Sequence, residues 1–261
     1  MASFIHHALF GIYPYIALSV FLIGSLVRFD VDQYGWRSKS SQLLRRKQLM
    51  IGSVMFHLGI LGILLGHAVG LLTPVAIFEF LGISHMFKQM MAIIVGGICG
   101  LACFVGISML LHRRLFDSRI RSTSSVSDIA VLLILFVQLS LGLLTIPLSL
   151  GHLDGAMMVR FMNYVQGIVT LRPGAADGIA AVPLVFKLHM FLGFTIFLIF
   201  PFTRLVHVWS APVGYLFRNY QIVRTKARAV AAGGDEDLPP FVARPQFRPE
   251  PVAPTRRRKA A

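Results

Sequence analysis

The chain has 261 residues, 56% hydrophobic and only 14% charged, with 25 Lys and Arg against 11 Asp and Glu for a formal net charge of +14. So few charges, against about 25% in an ordinary soluble domain, exclude a water-soluble globule. The apolar content also excludes disorder over most of the chain, and two cysteines exclude a disulfide-stapled secreted scaffold. Two classes remain, a nucleic-acid binder and an integral membrane protein with its charges in loops, and the positions of the charges decide between them.

Taken in chain order, residues 8–27, 48–78, 89–111, 129–153 and 188–203 carry no charge. A bilayer core of roughly 30 Å needs about 20 apolar residues at 1.5 Å each. The first four stretches meet that need directly. The fifth meets it with apolar residues upstream to Ile179 and with Lys187 and Arg204 snorkelling from its ends. The sequence therefore predicts an all-α integral membrane protein, a bundle of five transmembrane helices at about 8–28, 49–72, 88–112, 128–150 and 182–207. The first helix lacks a basic flank before it and a small-residue cleavage site, and Arg28 follows it, so it reads as a span and not as a cleaved signal peptide.

The loop after the first span holds six basic residues, the loop after the third holds four, and the region from Arg204 to Lys259 holds eleven. Five spans put these three regions on one side, while Lys88, Arg160, Arg172 and Lys187 face the other. The positive-inside rule then places the N-terminus outside and the C-terminus in the cytoplasm, and the basic excess needs no nucleic acid. From Ala229 the composition turns to Pro, Arg and acidic residues, which reads as a disordered cytoplasmic tail over 229–261 beside a membrane domain over 1–228.

Of nine histidines, His6, His7, His85, His112 and His152 fall at helix ends or in loops. His57 and His67 fall in the second span, His189 and His207 in the fifth. Ionisable groups inside a span are costly and mark function. Two imidazoles on opposite sides of an iron make the six-coordinate haem suited to electron transfer, whereas a histidine relay in a haem-free transporter is the alternative from another class. Depth pairs His67 with His189 near the outer side and His57 with His207 near the inner side. On a continuous fifth helix, 18 residues separate its two histidines, five turns on one face and a rise of about 27 Å; the ten residues on the second span rise only about 15 Å. Tilt and a kink at Pro201 are expected to absorb part of that mismatch. Gly59, Gly62, Gly66 and Gly70 let either a neighbouring helix or a macrocycle approach closely. Cys99 and Cys103, one turn apart and outside any C-x-x-C-H motif, read as small packing residues.

The sequence resembles the gamma subunit of bacterial respiratory nitrate reductase, a dihaem cytochrome b. The resemblance runs from about Ile12 to Arg228 and rests on IYPYIALSVFLIGSLVRFD at 12–30, QYGWRSKSSQ at 33–42, FHLGILGILLGHAVGLLTP at 56–74, RRLF at 113–116, LGLLTIP at 141–147 and KLHMFLGFTIFLIFPFTRLVHVWSAPVGYL at 187–216. It implies two b haems, the distal one on His67 and His189 and the proximal one on His57 and His207. It also implies oxidation of a membrane quinol near the distal haem, with Lys88 in the quinol site and Gly66 bordering the same pocket. Electrons then pass to an iron–sulfur beta subunit and a molybdenum alpha subunit at the cytoplasmic face of the bacterial inner membrane, where nitrate is reduced in anaerobic respiration.

On residue chemistry alone, Lys88 suits either a quinone carbonyl or the role of an interface anchor. Lys187, Arg204 and either Arg113 or Arg114 suit haem propionates or simple boundary charges. The basic inner loops and WSAPVGYLFRNYQIVR suit a docking surface. A related dihaem quinol cytochrome serving another reductase is the nearer alternative.

Overall fold

The computed structural model describes residues 2–32 and 44–210. The QYGWRSKSSQ motif, most of the docking segment after Ser210 and the tail over 229–261 lie outside these residues. Among the described residues every regular element is helical. Five helices are long and apolar enough to cross a membrane: α1 (Ser3–Val31), α2 (Arg46–Leu72), α4 (His85–Phe116), α6 (Val126–Leu150), and a fifth, Leu184–Phe202, whose α-helical part is α8 (Leu184–Ile199). Three short helices connect them, α3 (Val75–Phe80), α5 (Ser118–Ser122) and α7 (Ala156–Val169).

Local sequence sets the boundaries. Ser84 caps α4 by accepting from Phe87 N, and Asp117 caps α5 by accepting from Arg119 N and Ile120 N. Ser125 and Asp128 close a reciprocal capping box at the start of α6. Side chains such as Leu61, Leu65, Ile98 and Leu101 stand exposed along the spans. Rows of apolar side chains this long suit a lipid environment.

The spans pack side by side in the order α2, α4, α6, α8, α1. The tightest contact is between α2 and α4, and small residues make it. A Cβ on Gly59 would lie 2.7 Å from Cys103 N, and one on Gly106 would lie 2.7 Å from Gly52 O. Helices in lipid associate by close packing, so glycine is what lets these two backbones meet. Gly62 faces Cys99, whereas no atom lies within 4 Å of a Cβ on Gly66 or Gly70. The glycine row of α2 is thus divided: its first half packs on α4 and its second half borders open space.

The fifth span departs from the continuous helix expected over 182–207. The α-helix stops at Ile199, a 3-10 turn covers Phe200–Phe202, Thr203 is extended, and a second 3-10 segment runs over Arg204–Ser210. Pro201 has no N–H to donate, and its ring collides with the carbonyl four residues back. The hydroxyl of Thr203 donates to Phe200 O at 3.1 Å and accepts from Leu205 N at 3.3 Å, restarting the chain as a tighter helix. His189 and His207 are therefore not five turns apart on one helix face. A single straight helix axis therefore does not set their separation.

The connection between α6 and α8 holds an element absent from the sequence expectations. Met162, Tyr164 and Ile168 of α7 are buried; Tyr164 and Ile168 join a core with Phe10, Ile179, Val182 and Phe186. The Tyr164 hydroxyl donates to Phe10 O at 2.9 Å, where a π-helical turn over Ala8–Ile12 interrupts α1. Gln166 Nε2 donates to Leu71 O at 3.0 Å and Thr73 O at 2.9 Å, closing the end of α2. Burial pushes the Tyr164 phenol well above its usual value, so the group stays protonated and keeps donating. A raised folded-state value contributes stability fully below the unfolded value, about pH 10, and the contribution fades as pH rises past it. Tyr164→Phe is expected to cost about 1–3 kcal/mol, because it leaves the Phe10 carbonyl without its donor. Thermal unfolding of wild type and variant at neutral pH measures the loss, and the gap between the two should narrow above about pH 10.

Candidate functional site

Two pairs of histidines face each other, one toward each end of the bundle. The ring centres of His67 and His189 are 6.3 Å apart, at 40° between planes. Those of His57 and His207 are 6.4 Å apart, at 71°. His57 and His67 sit on α2, His189 on α8 and His207 on the 3-10 segment beyond it; α2 and α8 are separated in the packing order by α4 and α6, so the rings reach toward each other across a gap.

Each ring is oriented the same way. His57 Nδ1 lies 2.7 Å from Ser53 O, His67 Nδ1 2.9 Å from Ile63 O, and His207 Nδ1 2.5 Å from Arg204 O. His189 Nδ1 reaches outside its own helix, to Gln138 O at 3.2 Å. A carbonyl oxygen only accepts, so each Nδ1 carries the proton and each Nε2 keeps its lone pair. This is the state of a histidine prepared to ligate a metal: one nitrogen fixed by a second partner, the other carrying the lone pair.

The spacing fits a metal between the rings. Two imidazole–metal bonds of about 2 Å each, with about 1 Å more from each nitrogen to its ring centre, put facing centroids about 6 Å apart. Among the described residues no group of three His, Cys, Asp or Glu side chains could hold a metal ion. A metal held by only two opposed imidazoles takes its remaining ligands from a non-protein group, and a planar macrocycle supplies four. The open space beside Gly66 and Gly70 adjoins His67. The ring spacing therefore fits haem ligation at both pairs, and at the outer pair open space beside Gly66 and Gly70 adds room for the macrocycle.

The supporting residues include two that sequence reasoning missed. Gln138 lies mid-span on α6 and gives His189 its carbonyl, while its Nε2 sits 3.5 Å from His189 Nε2. Gly142 makes room for that ring, since a Cβ there would come within 3.0 Å of it. The signal for Gln138 was available, because it is an amide inside the charge-free stretch 129–153.

The other sequence-predicted residues divide. Lys88 is buried at 8% exposure, with Nζ 2.9 Å from Met162 Sδ and 3.7 Å from the centre of the Phe78 ring. It is enclosed between α3, α4 and α7 rather than snorkelling outward, and a thioether with an aromatic face is a weak pairing for an ammonium. Lys187 Nζ donates to Ala180 O at 2.6 Å. Arg113, also buried, donates to Leu44 O at 2.6 Å. Arg114 and Arg204 both pair with Asp128, each at 3.4 Å. Cys99 and Cys103 are free thiols, and Cys103 is fully enclosed against Gly59.

Residues 6–226 match the family model described as nitrate reductase gamma subunit. The chain is 49% identical over 225 residues to respiratory nitrate reductase 1 gamma chain of Escherichia coli, covering 86% of this chain and 99% of that one. It is 42% identical over 219 residues to nitrate reductase gamma chain of Bacillus subtilis, covering 84% and 98%. It is 34% identical over 219 residues to a nitrate reductase-like protein of Mycobacterium tuberculosis, covering 83% of this chain and 33% of that longer protein.

Proposed function

The chain belongs to the nitrate reductase gamma subunit family, and from that premise we propose that it is the dihaem cytochrome b of a respiratory nitrate reductase, oxidising quinol on the periplasmic side of the bacterial inner membrane and delivering electrons to iron–sulfur and molybdenum subunits on the cytoplasmic side. The observation that carries this reading is the pair of facing histidines at each end of the bundle, with every Nδ1 committed to a carbonyl.

His67 and His189 would hold the outer haem, His57 and His207 the inner one. When bound, the two haems supply one-electron relay positions between quinol and the partner subunits. The chain's own residues set the conditions. Ser53, Ile63, Gln138 and Arg204 carbonyls fix the imidazole orientations, which keeps each ligand basic and in place. Lys88 would offer its poorly satisfied ammonium to a quinol oxygen, Gly66 with its open space would border the same pocket, and α7, which encloses Lys88, would shield it from bulk water. The distribution of basic residues supports an orientation with the N-terminus outside and the C-terminus inside. Protons released from quinol outside and electrons used inside move net charge across the membrane.

A reduced-minus-oxidised spectrum of the chain purified with its partners is expected to show b-type haem at about two per chain. Absence of a b-type haem signal from that preparation would overturn the dihaem reading and favour a histidine relay. Identifying the co-purifying cytoplasmic subunits separates a nitrate reductase from a related quinol-linked reductase.

A further inference from the structure

The two histidine pairs are held by different means. His189 lies within the unbroken α8 and is oriented by the neighbouring span α6. His207 lies beyond the break, on a seven-residue 3-10 segment separated from α8 by the extended Thr203. Nothing in the α-helix itself fixes that segment, and the break exposes carbonyls that a helix would have paired.

Two contacts from distant parts of the chain tie it down. Arg28, near the end of α1, donates from Nη1 to Pro201 O at 2.6 Å and to Thr203 O at 3.0 Å. Gly24, one turn earlier, lets α1 come this close, since a Cβ there would lie 2.8 Å from Pro201 Cγ. On the other side, Asp128 in the first turn of α6 takes Arg204 Nη1 on Oδ1 and Arg114 Nη1 of α4 on Oδ2. Arg114 and Asp128 are each 13% exposed and Arg204 is 22% exposed. The backbone carbonyl of the same Arg204 receives His207 Nδ1. A chain of contacts therefore runs from the carboxylate of α6 through Arg204 to the imidazole facing His57.

We propose that Asp128 and Arg28 are positioning residues for the inner haem, tethers that hold the broken end of the fifth span so that His207 stays opposite His57. This rests on the dihaem reading above. Removing the carboxylate takes away the partner through which Arg204 is held to α6 and α4 together, and so loosens the segment that carries His207. Removing Arg28 leaves the Pro201 and Thr203 carbonyls to find other donors, with the same consequence. The outer pair, on continuous helices, has no such dependence.

The experiment uses the full chain in its native complex, with Asp128→Asn and Arg28→Gln compared with Asp128→Glu and Ser125→Ala. Haem per chain, redox titration and the low-spin spectroscopic signal of each haem are read. Both tether variants are expected to lower inner-haem affinity by about 10-fold or more, the usual cost of losing a partner behind a metal ligand. Where haem is retained, the potential and signal of the inner haem shift while those of the outer stay unchanged. Asp128→Glu retains the inner haem. Ser125→Ala breaks the capping box but not the ion pairs, and leaves both haems in place. The proposal is overturned if both tether variants keep an unaltered inner signal, if both haems are lost equally, or if Ser125→Ala reproduces Asp128→Asn. Wild type without b haem would instead overturn the dihaem reading itself, before any variant is made.

Discussion

On the proposed dihaem reading, His67→Ala is expected to leave a chain that inserts normally, holds one haem instead of two, and no longer oxidises quinol. His67 sits on α2 ten residues beyond His57, a rise of about 15 Å, and each of the two faces its own partner on the fifth span. The sites share no side chain, so loss of one ligand has no direct route to the other. Even a residue one step removed from a metal is worth about 10–100-fold in affinity, so loss of an axial ligand should lower quinol-dependent nitrate reduction by more than about 100-fold. The inner haem should keep its spectrum and potential. Redox titration of membranes containing the variant separates the two haems, and disappearance of both from a stably inserted chain would sink the independence of the sites.

The legible part of this protein was the part written in single-residue chemistry. Charge-free runs of about 20 residues can be little else than spans, and all five are present. Histidines in such runs stand out because lipid makes them expensive, and depth alone paired His67 with His189 and His57 with His207. What was not legible depended on the third dimension. Pro201 announced a disturbance, but only the structure shows that α8 ends and the chain restarts at Thr203. The helix α7 lay unread in a loop because its buried face, Met162, Tyr164 and Ile168, is short and is defined by the ends of other helices. The glycines of α2 looked alike in sequence, yet Gly59 meets a helix and Gly66 meets open space. Gln138 was visible as a polar residue in an apolar run, but its role comes from a backbone carbonyl, which no side-chain pattern encodes.

The glycine contact between α2 and α4 carries the second large effect, and it links packing to the proposed inner haem site. A side chain at Gly106 would meet the backbone of Gly52 and Phe56, and backbone cannot swing aside as a flexible side chain can. Gly106→Val is therefore expected to force the two helices apart, with a cost at or above the roughly 1–3 kcal/mol usual for overpacking. Phe56 immediately precedes His57, so the displacement falls on the inner pair first. The variant should show weakened inner-haem binding and a lower unfolding temperature, with the outer haem the last to be lost on heating. Gly97→Ala on the same helix supplies the contrast. A Cβ at Gly97 meets only Ile146 Cδ1, at an ordinary 3.7 Å, and this variant should bind both haems and melt as wild type does. Haem absorbance followed during thermal unfolding distinguishes the two cases. Equal behaviour of Gly106→Val and wild type would mean that the close approach of α2 and α4 is not what holds His57 in register with His207.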